Sequence, residues 1–313
     1  MKISIIIPSY NEEGNILELN KKITNALKNL DYELIYINDG SSDSTLEKIK
    51  KVYETDKEHI KYISFSKNFG KDAAIYAGLK NSTGNYTCII DSDLQQNPKY
   101  IISMYDYLNN HEDIDQIAMV MKNRKKENII NRIFKKNFYK IINKLSDTKL
   151  VDGASDFRMF RTNVKNAILS LSEKNRFTKG IFSWIGFNTE YMYYNVEKRH
   201  SGKSKFTTSE QIKYALTGIT NFSVKPLSLA TIIGALISLF SFIYIIITIL
   251  QVLIFGKDVP GYASLLITSL FMGGIQLMFI GIMGSYIGKS YIETKNRPIY
   301  IEKETKGFDN DIL

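Results

Sequence analysis

Tyr86-Thr87-Cys88-Ile89-Ile90-Asp91-Ser92-Asp93 is an apolar run that ends in two carboxylates one residue apart. The run reads as a buried strand and the acids as its mouth. Such a pair is a compact site for a hard divalent cation. Oxygen ligands suit magnesium or manganese, and these ions commonly bridge a protein to substrate phosphates. Asp-x-Asp also occurs in ordinary turns, so the surrounding chain must separate a metal site from a loop.

Upstream, strand and helix patterns alternate. Ile3-Ser4-Ile5-Ile6-Ile7-Pro8 is a strand stopped by proline, and Asn15–Leu30 has helical apolar spacing. Strands at Glu33–Ile37 and Ile60–Phe65 alternate with helices at Thr45–Tyr53 and Phe69–Lys80. This alternation predicts an α/β domain with a mostly parallel sheet and helices on both faces. Ligands of such sheets bind beyond the carboxyl ends of the strands. Pro8-Ser9-Tyr10-Asn11-Glu12, Asn38-Asp39-Gly40 and Asp91-Ser92-Asp93 all fall there, so three polar clusters converge on one edge.

Downstream, the character changes. The 313 residues are 44% hydrophobic with a mean hydropathy of −0.15, ordinary for a soluble protein. Yet no charge falls between Lys225 and Lys257 or between Asp258 and Lys289, and about 20 apolar residues suffice to cross a bilayer. Leu227–Phe255 and Tyr262–Gly288 are therefore read as a transmembrane hairpin. Lysine and arginine flank the hairpin on the side of both chain ends, which predicts cytoplasmic termini. Met1–Ile7 is too short an apolar run for a signal peptide. The expected division is a cytoplasmic domain over 1–222, two membrane helices over 223–290 and a cytoplasmic tail over 291–313. The polar tail from Glu302 onward is expected to be disordered. Gly284-x-x-x-Gly288 is a small-residue contact pattern, and a homo-oligomer is expected.

The formal charge of +9 is concentrated. Ten basic residues fall between Lys122 and Lys149, where Asn128–Leu145 reads as a basic amphipathic helix. In a chain that enters a bilayer, an anionic membrane surface is the better partner for it than nucleic acid. Cys88 is the sole cysteine, so no intrachain disulfide forms. His59, His111 and His200 do not cluster in sequence, which argues against a histidine metal site.

Pro8–Glu13, Asn38–Ser41, Asn68-Phe69-Gly70-Lys71 and Asp91-Ser92-Asp93-Leu94-Gln95 resemble family 2 glycosyltransferases of the GT-A fold. Asp156-Phe157-Arg158, Asn175-Arg176-Phe177, Arg199–Lys205 and Lys295–Tyr300 are similar to the signatures of the polyprenyl-phosphate subgroup, which includes bactoprenol glucosyltransferases. Dolichol-phosphate mannosyltransferases are further off. The sequence departs from the pattern at Asn38, at Gln96-Asn97-Pro98 and at Lys122-Asn123-Arg124.

The resemblance implies inverting transfer of one sugar from a nucleotide-diphosphate sugar to a polyprenyl phosphate. UDP-glucose is the default donor; UDP-N-acetylglucosamine, UDP-galactose and GDP-mannose are alternatives. It implies Mg2+ or Mn2+ on Asp93, assisted by Asp91. Pro8, Tyr10, Glu12, Asp39, Lys71, Asp91, Ser92 and Gln95 would hold the donor. Arg124 would offset phosphate charge, and Arg199, Lys203, Ser204 and Lys205 would meet the acceptor phosphate. Asp156 would orient acceptor or sugar, or pair with Arg158. Two helices offer no polar path for a sugar, so a separate flippase and a downstream glycosyltransferase are implied partners. A catalytically inactive membrane scaffold is the non-enzymatic alternative, and the intact Asp39, Asp91, Asp93 and Asp156 count against it.

Overall fold

The computed structural model describes residues 1–122, 143, 151, 153–197, 220, 223–255 and 261–308. Its first half alternates as expected: β1 (Ile3–Ser9), α1 (Ile16–Leu27), β2 (Tyr32–Asn38), α2 (Thr45–Thr55), β3 (Ile60–Phe65), α3 (Lys71–Asn81), β4 (Tyr86–Ile89) and α4 (Lys99–Asn110). Then come β5 (Gln116–Met121), β6 (Ala154–Arg161), α5 (Thr162–Ser170), α6 (Thr178–Trp184) and β7 (Thr189–Tyr194). Two long helices, α7 (Lys225–Phe255) and α8 (Tyr262–Thr294), precede β8 (Glu302–Lys306).

One eight-stranded sheet runs in the order β7-β5-β6-β4-β1-β2-β3-β8. Strands β4, β1, β2 and β3 are parallel, whereas β6 runs antiparallel to both β4 and β5. Every residue of β1 and β2 is buried, because helices cover both faces. Alternation then divides the strands between two cores. Ile3, Ile5 and Ile7 pack with α1, α2 and α4, while Ile6 packs with α3, α5 and α6. Helix α3 lies so close that a Cβ on Gly78 would sit 2.4 Å from Ile6 Cγ2; only glycine fits there.

The tail departs from expectation. Far from being disordered, Glu302–Lys306 adds an antiparallel strand to the free edge of β3. Backbone pairing draws it there, and Glu304 reinforces it by accepting from Lys50 Nζ at 2.7 Å and Tyr62 Oη at 2.6 Å. Charged side chains are common on edge strands, so the polarity of this stretch never excluded a strand. Just before it, Tyr300 stacks on Phe65 with ring centroids 4.8 Å apart.

Helices α7 and α8 are long and apolar enough to cross a membrane, over Leu227–Gln251 and Ile267–Thr294. Leu239, Phe240, Phe271 and Leu277 face outward, uncovered by protein. The second helix continues past Gly288 to Thr294 and anchors on the α/β domain. The backbone N–H groups of Lys174 and Asn175 both donate to Glu293 at 3.0 Å. The basic helix expected over 128–145 lies, Asn143 apart, outside the described residues.

At the amino edge of the sheet Glu33 is a buried carboxylate. Ser4 Oγ donates to it at 2.5 Å and Thr83 N at 2.7 Å, and Lys2 and Lys61 pair with it at 3.0 and 2.9 Å. Burial alone would raise its pKa; these donors outweigh burial and bring it to about 2. A folded pKa below the unfolded one contributes stability above about pH 4.5 that is lost as pH falls toward 2. A shift of this size corresponds to roughly 3 kcal/mol. Glu33→Gln should therefore lower the melting temperature of the detergent-solubilised protein at pH 7, and the gap to wild type should close between pH 4.5 and pH 2. A gap independent of pH would assign the loss to packing instead.

Candidate active site

The carboxyl ends of β1, β2 and β4 open on one edge, and the loops that follow them are laced together. Asn11 adopts φ +50° after β1. Its backbone N–H donates to Ser41 Oγ at 2.9 Å, and its side-chain Oδ1 accepts from Ser42 N at 2.8 Å. Ser92 Oγ donates to the Pro8 carbonyl at 3.0 Å, which ties the loop after β4 to β1. Tyr10 stands exposed at the rim. Glu12 has a structural partner, accepting from Asn15 Nδ2 at 2.5 Å.

Asp39 follows directly on β2 and is buried. Its two oxygens accept the Phe69 and Gly70 backbone N–H groups at 2.7 and 3.0 Å, holding the loop that starts α3. Burial pushes its pKa up to about 6, against the pull of those two N–H donors. Gly40 sits at φ +62°, and a Cβ there would lie 2.2 Å from the Lys67 carbonyl carbon. That close crossing is what lets Asp39 reach the loop.

Lys71 is the first residue of α3. Its ammonium lies 2.5 Å from Asp91 Oδ1 and 2.8 Å from Asp156 Oδ2. Asp156 comes from β6, whose antiparallel course starts at the edge where β4 ends. Desolvation works against the charge on Lys71, whose side chain is still partly exposed, but Asp156 and Asp91 outweigh it and hold the ammonium protonated above the ordinary range. Burial alone would raise the Asp156 pKa; Lys71, Lys179 and Arg158 pull it well below the usual carboxylate range. The close partner of Asp156 is thus Lys71, whereas Arg158 stacks its guanidinium 3.8 Å from the centre of the Phe182 ring. Asp156 Oδ1 is buried with no hydrogen-bond partner among the described residues.

Within Asp91-Ser92-Asp93 the two acids differ. Asp91 is clamped by Gln96, which donates from Nε2 to Oδ2 and accepts the Asp91 N–H, both at 2.9 Å. Asp93 Oδ1 accepts the Gln95 N–H at 3.1 Å, and the Gln95 carbonyl accepts from Glu197 N. Among the described residues no three His, Cys, Asp or Glu side chains form a metal cage. Two carboxylates still fit a magnesium-type ion, which keeps waters and takes remaining ligands from substrate phosphates. A cleft of about 200 Å³ opens beside Lys71, lined by Asp72, Lys174, Asn175, Arg176 and Ile299 among others.

The structure thus brings Pro8, Tyr10, Asp39, Lys71, Asp91, Ser92, Asp93, Gln95 and Asp156 to one edge. Arg124, Arg199, Lys203, Ser204 and Lys205 lie outside the described residues. The sequence reading noted Gln96 only as a departure from a family pattern, and had no role for Asp72, a half-buried acid whose carboxylate accepts the Thr178 N–H at 3.2 Å.

The family model for glycosyl transferase family 2 matches residues 4–169. A putative glycosyltransferase, CsbB, of Bacillus subtilis is 42% identical over 312 residues, covering 99% of this chain and 94% of that protein. A prophage bactoprenol glucosyl transferase homolog of Escherichia coli is 39% identical over 311 residues, covering 98% of this chain and 100% of that protein. Among solved structures, glucosyl-3-phosphoglycerate synthase from Mycobacterium tuberculosis, in complex with Mn2+, UDP and phosphoglyceric acid, superposes with a TM-score of 0.48 at 17% identity. It covers 70% of this chain and 76% of that one.

Proposed function

The chain belongs to glycosyl transferase family 2, and we propose that it transfers one sugar, with inversion, from a nucleotide-diphosphate sugar to a polyprenyl phosphate. UDP-glucose is the favoured donor. The observation that carries the reading is the extent of the likeness to the bactoprenol glucosyl transferase homolog. It runs past the nucleotide-binding half, through both apolar helices and into the tail.

The chemistry suits the residues. A phosphate monoester has a second pKa near about 6, so the acceptor oxygen is largely ionised at neutral pH. That oxygen forms a bond to the anomeric carbon as the bond to the departing diphosphate breaks. No proton has to be abstracted, and Asp156 has an anionic, lysine-paired carboxylate suited to positioning. A sugar hydroxyl would satisfy its unpartnered Oδ1. Asp93, assisted by Asp91, would hold a Mg2+ or Mn2+ ion, which neutralises charge on the leaving diphosphate. Asp39 and the loop from Pro8 to Glu12 would seat the nucleoside. Arg124, Arg199, Lys203, Ser204 and Lys205 would offset repulsion between the two phosphate groups.

The hairpin of α7 and α8 would anchor the enzyme with both termini in the cytoplasm. Pairing of β8 with β3 supports this, since a tail that completes the sheet must lie on the same side of the bilayer as the sheet. The product then needs a separate flippase and a downstream glycosyltransferase, because two packed helices offer a sugar no polar path.

Three outcomes test this reading. Purified protein given polyprenyl phosphate and a panel of labelled nucleotide sugars should attach one sugar per lipid, and Asp93→Asn should lower turnover at least a hundredfold while melting like wild type. A polymer, or no transfer with any donor, would sink the assignment. Donor affinity should fall about tenfold per pH unit below about 6, as Asp39 takes up a proton; constant affinity from pH 7 to 5 would remove Asp39 from the donor. In a Cys88→Ser background, Lys257→Cys should react with an impermeant thiol reagent in intact cells and Lys303→Cys should not. The opposite pattern would invert the topology.

A further inference from the structure

Lys71 is in an unusual place for a cation. It opens an eleven-residue helix, where the helix dipole favours negative charge. It nevertheless lies within 2.8 Å of two carboxylates, one on the loop after β4 and the other on β6. Without Lys71, Asp91 would lose its ammonium partner, and Asp156 would be left with the influence of Lys179 and Arg158 alone. Gln96 fixes the rest of Asp91, so that Oδ2 faces the amide and Oδ1 faces Lys71. A metal that approaches Asp91 through Oδ1 must therefore displace Lys71.

We propose that Lys71 is a resident counter-cation that stands in for the divalent ion in the donor-free enzyme. The inference rests on the metal-dependent reading above. A bare divalent ion must compete with the ammonium for Asp91 and so binds weakly. An ion that arrives with a nucleotide diphosphate brings an anion that gives Lys71 a new partner. The lysine then yields Asp91 while its other contact, to Asp156, stays in reach. Metal and donor therefore bind with positive coupling: each is bound tightly only in the presence of the other. The site avoids taking up free metal that it cannot use, and Asp156 keeps its orientation throughout.

The test is Mn2+ binding to the full-length protein in detergent, read by electron paramagnetic resonance without and with UDP or GDP. Lys71→Met should bind Mn2+ alone at least tenfold more tightly than wild type, and the gain in Mn2+ affinity produced by the nucleotide should shrink. Lys71→Arg, which keeps the charge, should resemble wild type. Adding Asp93→Asn to Lys71→Met should remove the gain, which locates the ion. Mn2+ alone should also raise the melting temperature of Lys71→Met more than that of wild type. Should Lys71→Met fail to fold, the double variant Lys71→Met/Asp156→Asn removes one charge of each sign and should still bind Mn2+ alone more tightly than wild type. Equal or weaker Mn2+ affinity in folded Lys71→Met, or in the folded double variant, would overturn the proposal while leaving a metal-dependent transferase intact. Sugar transfer by the wild type in excess EDTA, with no Mn2+ signal even with nucleotide, would overturn both.

Discussion

Carboxylates gathered at one edge of a buried sheet repel one another unless something positive stands between them, and here Lys71 does so. The crowding follows from topology. Parallel β1, β2 and β4 all finish on the same side, and antiparallel β6 starts there and adds Asp156. Helix α3 begins at that edge because its preceding loop is pinned to Asp39. The same pinning sets where Lys71 emerges. Asp39 meets its own charge differently: burial raises its pKa to about 6 against the pull of two backbone N–H groups. Two acids in one site thus end with opposite proton affinities: Asp156 stays ionised, and Asp39 titrates near neutrality.

The amino edge of the sheet carries a second buried charge problem. Glu33 sits in a fully buried strand and is satisfied by Ser4, Thr83, Lys2 and Lys61. This network joins the starts of β1, β2 and β3 to the turn before β4. It leaves the opposite edge free to be polar and crowded without being the part that holds the sheet together. Among the described residues, the end of α8 and the tail that follows it attach to this body. Glu293 accepts the N–H groups of Lys174 and Asn175, and β8 pairs with β3. Tyr300 and Ile299 pack into the core between these ties.

Much of the fold was legible because hydrophobic period and loop chemistry agree along the first half. Each apolar run, such as Ile3–Ile7 or Tyr86–Ile90, became a strand within a residue or two; the helix expected over Asn15–Leu30 is shorter at both ends, that expected from Thr45 runs on to Thr55, and that expected over Phe69–Lys80 spans Lys71–Asn81. The three polar clusters met where parallel strand order requires. Glu302–Lys306 was misread because local polarity says nothing about a free sheet edge elsewhere; β3 offered one, and Lys50 and Tyr62 happened to face Glu304. The partner of Asp156 was likewise hidden. Arg158 is two residues away and shares its strand face, yet the ring of Phe182 engages its guanidinium. Lys71 is far away in sequence and reaches Asp156 only through the sheet.

What the amino-acid sequence determined by itself was the class of the fold, the edge on which the polar clusters meet, the acids of the candidate site and two apolar segments long enough to span a bilayer. These follow from periodicity, from turn-forming residues and from the rule that parallel strands end together, all readable one segment at a time. Only the tertiary structure decided how the charges are shared. Asp91 is divided between Gln96 and Lys71, Asp156 belongs to Lys71, and the tail belongs to the sheet. Pairings of that kind depend on distances across elements far apart in the chain, and electrostatic energy depends steeply on those distances and on burial.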